Sequence, residues 1–205
     1  MNKNVRMPKQ KRSIEKKQRI IEAASRLYYK KGYMGTTTDE IAKEAGLSTG
    51  TVYAYFHDKK DILLTWLQEF NKAAAARLSD NIVSLSNITN DVNGVKIESA
   101  ARSIIKMLTT LHDFPKAFRD EMAALRYMDE DVAREFRGVQ SAVMDIISAR
   151  LEAFGVPFAS KKEKVLLLYS IFETAEDNLV YNEDPDVDKE ALTGMYVKAI
   201  TAIVL

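Results

Sequence analysis

The sequence predicts an all-α protein of about nine helices, in which a short amino-terminal group precedes a larger helical body. Three observations carry this. No segment sustains the apolar and polar alternation of a strand. Apolar residues recur at three- and four-residue spacing along the chain, and Gly, Pro and capping residues interrupt them at helix-length intervals. The composition is globular: of 205 residues, 46% are apolar and 29% charged, which argues against disorder.

The first helix is expected to start near Ser13 or Ile14, bury Ile20, Ala24 and Leu27, and stop at Gly32 behind Lys30 and Lys31. Thr37 with Glu40 three residues on forms a capping box, so a second helix should pack Ile41, Ala42 and Ala45 and end at Gly46. Ser48 can cap a third helix, with Val52 and Phe56 on one face. Asp58 and Asp61 cap a fourth and longer one, striped by Leu63, Leu67, Phe70 and Ala74. SLSNITNDVNG, residues 84–94, reads as a loop. Helices should follow at about 98–112, 116–128, 131–154, 161–181 and 188–205, punctuated by Pro115, MDED, GVP and NEDPD.

Charge is unevenly distributed. Residues 1–72 hold 15 Lys or Arg against 8 Asp or Glu, a balance of +7; the remainder, 15 against 21, carries −6. A basic end suits phosphate, and an acidic body stays off it, although charge runs also serve merely as solvated faces. There is no cysteine, which excludes a disulfide framework, a thiolate metal site and a cysteine nucleophile, and fits a reducing compartment. The basic start is followed by no apolar run of signal-peptide length, and no segment approaches the roughly 20 apolar residues of a membrane span. A cytoplasmic location with no membrane partner is therefore expected.

Two short helices at a glycine turn, supported by a longer one, are the helix-turn-helix arrangement, whose second helix lies in the DNA major groove. Thr49, Gly50 and Thr51 are small enough to bring the backbone close to base edges and phosphates. Tyr53 and Tyr55 can reach phosphates through their hydroxyls, and Lys59 begins the next helix, where an ammonium favours phosphate. Tyr55 also fits packing at a helix end. A basic arm, Lys3, Arg6, Lys9, Lys11 and Arg12, either tracks the minor groove and phosphates or makes no contact.

GYMGTTTDEIAKEAGLSTGTVYAYFHDKKDIL, within residues 14–64, resembles the signature of the TetR family of transcriptional regulators. The resemblance implies that Thr37 to Ala45 forms the first DNA-reading helix and Ser48 to Phe56 the recognition helix. It places Thr38, Thr49, Gly50, Thr51, Tyr53, Tyr55 and Lys59 where the family contacts DNA, and Thr37 joins that set. Asp39 departs from the pattern, because that position is often basic; Lys43 and the basic arm are the candidates to compensate for it. Residues 1–57 are thus expected to form the helix-turn-helix DNA-binding domain with its arm, and 58–205 a ligand-binding and dimerisation domain.

In the body, Leu168, Phe172, Ala175 and Leu179 form one stripe, and Leu192, Tyr196, Ala199 and Ile203 another. Helices apolar on more than one side need a second partner, and the natural one is the same pair from another subunit. The resemblance agrees, implying a homodimer that reads a near-palindromic double-stranded operator with half-sites ~34 Å apart. It further implies a pocket for a small-molecule effector. Candidate lining residues are Trp66, Phe70, Met107, His112, Met122, Tyr127, Tyr169, Glu173 and Asp177; each also has a plain reading as core or solvated surface.

With two histidines, no cysteine and no Gly-rich phosphate loop, the sequence offers neither a catalytic constellation nor a metal or cofactor site. The expectation is a regulator, by default a repressor, rather than an enzyme. The alternative is an architectural or partner-recruiting DNA-binding protein without an inducer.

Overall fold

The computed structural model describes residues 9–86, 94–111, 114–153 and 160–205. Among these it is all-helical: α1 (Lys9–Lys31), α2 (Thr38–Glu44), α3 (Thr49–Tyr53), α4 (Lys59–Ser86), α5 (Gly94–Leu111), α6 (Lys116–Met128), α7 (Glu130–Ala153), α8 (Lys161–Val180) and α9 (Lys189–Val204). No described helix is long and apolar enough to cross a membrane. The expected elements are present, with three corrections. Helix α1 begins at Lys9 rather than near Ser13, α4 continues to Ser86, inside the stretch read as a loop, and α5 begins at Gly94 rather than at about 98. His112, the arm residues Lys3 and Arg6, and the GVP turn lie outside the described residues.

The chain forms two compact units: residues 1–70 with 114–135, and residues 71–113 with 136–205. In the first, α1 packs on α2 and α6, and α2 on α3. Its core holds Ile20, Ala24, Tyr28, Ile41, Ala42, Val52, Phe56, Leu63 and Phe118. Tyr28, rather than the half-buried Leu27, is the residue α1 sends fully inside, where it stacks on Phe118 at 6.0 Å and meets Tyr33 edge-on at 5.6 Å. Trp66, Phe70, Phe114, Phe118 and Tyr29 continue this ring cluster, with centroids 5.0–6.1 Å apart. The second unit packs α5, α8 and α9 together. Its interior joins Ile97, Ala101 and Ile105 to Ile147, Leu151, Val165, Leu168, Phe172, Val197 and Ile200.

Candidate nucleic-acid interface

Helix α2 starts where the sequence indicates. Thr37 accepts from the Glu40 backbone N–H, the Glu40 carboxylate accepts from the Thr37 N–H at 2.9 Å, and Lys31 adds an ion pair at 2.6 Å. These contacts, the Lys31 and Thr37 hydrogen bonds first, hold the Glu40 carboxyl down at about 2. The helix ends at Ala45, whose carbonyl accepts from Arg19 Nη2 at 2.6 Å. Gly46 follows in the left-handed region, φ +62°, which a glycine enters without the steric cost a Cβ brings. That residue turns the chain into α3.

Ser48 caps α3 by accepting from the Thr51 N–H, and its hydroxyl lies 2.8 Å from Thr51 Oγ1. Val52 and Phe56 anchor α3 to the core, and Lys17 Nζ sits 5.5 Å from the Phe56 ring centroid. The opposite side stays available. Gly50 is exposed with open space where a Cβ would stand, Tyr53 is 55% exposed, and Thr49, Thr51 and Tyr55 are half-buried. Thr37 and Lys43 on α2 are exposed and Thr38 half-exposed. The structure therefore brings eight of the nine DNA-facing candidates onto α2, α3 and the residues flanking them.

Lys59 is placed differently. Its ammonium donates to the carbonyls of Tyr33 and Thr36, both at 2.8 Å, and lies 4.2 Å from the Tyr33 ring centroid. Desolvation there lowers its pKa from the ordinary lysine value. One donor of its three remains for a phosphate. Sequence reasoning missed the partner of this arrangement, Glu121 on α6, which accepts from the backbone N–H groups of Tyr33 and Met34. It missed equally the pairing of Lys60 with Asp131 at 2.8 Å and Asp129 at 3.2 Å. These bonds, Asp131 first, raise the Lys60 pKa. Asp39, the departure from the family pattern, accepts from Thr49 Oγ1 at 2.8 Å.

The effector-site candidates divide between the units. Trp66 and Met122 are buried in the first, where Phe70 stacks on Trp66 at 5.5 Å, while Tyr127 is 87% exposed. In the second, Met107 and Tyr169 are half-buried, and Glu173, which accepts from the Tyr169 hydroxyl, and Asp177 are exposed. Neither carboxylate is buried. Of the residues assigned to a two-fold contact, Leu168, Phe172 and Ala175 are buried within their own chain. Leu179, Leu192, Tyr196 and Ile203 are half-buried and Ala199 is exposed.

Residues 20–65 match the family described as "Bacterial regulatory proteins, tetR family". The regulator HbdR of Aromatoleum sp. (strain CIB) is 48% identical over 54 residues, 26% of this chain and 24% of that protein. The chain therefore spans about a quarter of the length of this curated relative. Among solved structures, a TetR-family transcriptional regulator from Streptomyces coelicolor superimposes with a TM-score of 0.68 at 17% identity, covering 98% of this chain and 96% of its own. The regulator FadR from Bacillus subtilis, solved in complex with stearoyl-CoA, does so with a TM-score of 0.60 at 18% identity, covering 90% and 97%. Residues 20–65 thus carry the segment shared by the tetR family of bacterial regulatory proteins, and the all-helical fold of the described residues is that of solved TetR-family regulators.

Proposed function

We propose that this protein is a repressor that binds a near-palindromic operator as a homodimer and is released by a small, largely apolar ligand. The observation that carries the DNA-binding part is α3: a five-residue helix anchored by Val52 and Phe56, with Thr49, Gly50, Thr51, Tyr53 and Tyr55 left to face outward or half outward. Small residues at the start of such a helix admit base edges, and tyrosine hydroxyls suit backbone phosphates. Residues 1–57 serve as the DNA-reading part and 58–205 as the effector and dimer part.

Two-fold pairing is supported by apolar surface left open on α8 and α9, where Leu166 and Leu167 are each 50% exposed and Met195 65%. A long apolar effector has a precedent in the stearoyl-CoA of the Bacillus subtilis neighbour. The rings of Trp66 and Phe70 and the thioether of Met122, all in the first unit, suit such a ligand.

The test is binding of the purified protein to DNA upstream of its own gene, with unrelated DNA as competitor and a salt titration. Retention that survives competitor, with a log–log salt slope reporting several neutralised phosphates and weakened by Tyr53→Phe, is expected. Equal binding to both DNAs favours the architectural alternative. Absence of binding to either removes the reading.

A further inference from the structure

The contact between Asp39 and Thr49 bridges the two helices of the helix-turn-helix. Thr49 Oγ1 donates to Asp39 Oδ1 at 2.8 Å, with Asp39 exposed and Thr49 half-buried. An ionised carboxylate carries no proton, so the direction of this bond is fixed. The bond between Ser48 and Thr51 differs, because either hydroxyl there can be the donor. Thr49's single proton is committed to Asp39. What the pair presents outward is therefore acceptors alone, the remaining lone pairs of Thr49 Oγ1 and of the Asp39 carboxylate, together with a negative charge.

Base edges in the major groove answer such a pair differently. Guanine shows two acceptors, O6 and N7; thymine shows the O4 acceptor and a methyl; adenine sets its N6 donor beside the N7 acceptor. Cytosine shows the N4 amino donor and no acceptor. We propose that Asp39, held by Thr49, is a specificity-determining residue that selects a C·G base pair in each half-site through the cytosine N4 amino group. This rests on the DNA-binding reading above. The carboxylate's repulsion by phosphate weakens binding to every sequence alike, whereas an amino contact is gained in full at cytosine, and at adenine only against the repulsion of the neighbouring N7 acceptor. The pair thus works through discrimination rather than affinity.

The experiment is selection of binding sites from randomised double-stranded DNA by the full-length protein and by Asp39→Ala, Asp39→Asn and Thr49→Val, followed by titration of the selected duplexes. The parent should enrich a cytosine at one position per half-site, and replacing that C·G pair by T·A should weaken binding roughly 5-fold or more. Asp39→Ala should abolish this discrimination while leaving the other positions unchanged and the overall affinity equal or higher. Asp39→Asn, whose amide adds donors, should move the preference to adenine. It also keeps an acceptor for Thr49, and serves if melting shows Asp39→Ala to be unfolded. Thr49→Val should blunt the preference by leaving the carboxylate unheld. A uniform loss of binding with every base preference intact would mark Asp39 as structural only and overturn the proposal. So would parent sites without the cytosine. If the parent enriches no sequence, the DNA-binding reading itself falls; if sites are enriched but Asp39→Ala alters none of their preferences, this proposal alone falls.

Discussion

Glu121 on α6 accepts the backbone N–H of Tyr33, 88 residues earlier in the chain, and also that of Met34. The same carboxylate occupies the space over Gly32: a Cβ built there would lie 2.4 Å from Oε1, and Gly32 itself sits at φ +80°. Two separate costs therefore attach to Gly32→Ala. The left-handed backbone contributes about 1–2 kcal/mol, and displacing the carboxylate from its two N–H donors adds to it. In an Glu121→Ala background the second cost is already absent. A double-mutant cycle read by denaturant melting should thus give a coupling of about 0.5–3 kcal/mol. Additive effects of the two substitutions would show that the carboxylate does not hold the turn.

Lys59 works on the other side of the same turn, taking the carbonyls of Tyr33 and Thr36. Lys59→Met keeps the apolar stem and deletes the donors, leaving two carbonyls that water reaches only in part. A loss of about 1–3 kcal/mol is expected, toward the lower end because the site is half-open. If Lys59 acts mainly through this turn, DNA affinity should fall while the salt slope changes by less than the ~0.9 that one lost phosphate contact brings. A slope reduced by a full contact, at unchanged stability, would assign the ammonium to phosphate instead.

These two clamps explain which features were legible in the sequence. Helix limits in the amino-terminal unit follow from local chemistry: the Thr37–Glu40 box, the Ser48 cap, and the glycines at 32 and 46 all act within four residues of the helix ends they define. Spacing likewise identified Ile41, Ala42, Ala45, Val52 and Phe56 as buried. Glu121 and Lys59 act across 88 and 26 residues, and no local pattern announces the backbone groups they bind. Tyr28 and Leu27 are adjacent and both apolar, so only the packing of α1 on α6 decides that the ring is fully inside. The stripe Leu168, Phe172 and Ala175 shows a further limit. Periodicity reveals a face that must be covered, and here α5 and α9 of the same chain cover it, but it does not say which helix will do so.

The capping box also titrates. The Glu40 carboxyl is held at about 2 in the folded chain, below its ordinary value of 4.5. A depressed carboxyl contributes stability that is fully present above the unfolded value and is lost as pH falls from about 4.5 through about 2. Glu40→Gln cannot lose what it never had, so its melting temperature should decline less steeply than the parent's across that window. The decline will not vanish, because Asp120, bonded by Lys116, and Asp131, bonded by Lys60, are depressed too. Parallel melting curves for parent and variant between pH 5 and 2 would rule out the contribution of Glu40.

Tyr28 supplies the most direct test of the amino-terminal core. Its ring is fully buried, yet its hydroxyl has no hydrogen-bond partner among the described residues, and burial pushes the phenol well above its ordinary pKa. A buried hydroxyl left unpaired costs about 1–3 kcal/mol, so Tyr28→Phe removes a penalty while keeping the contacts with Phe118 and Tyr33. The small void left by the oxygen offsets part of that gain. An unchanged or higher melting temperature is expected. Tyr28→Ala removes the whole ring and should cost about 3–5 kcal/mol, as large-to-small changes in packed cores do. A clear destabilisation by Tyr28→Phe would mean instead that the hydroxyl is paired in solution, and a water resolved against its oxygen in a crystal structure would identify the partner.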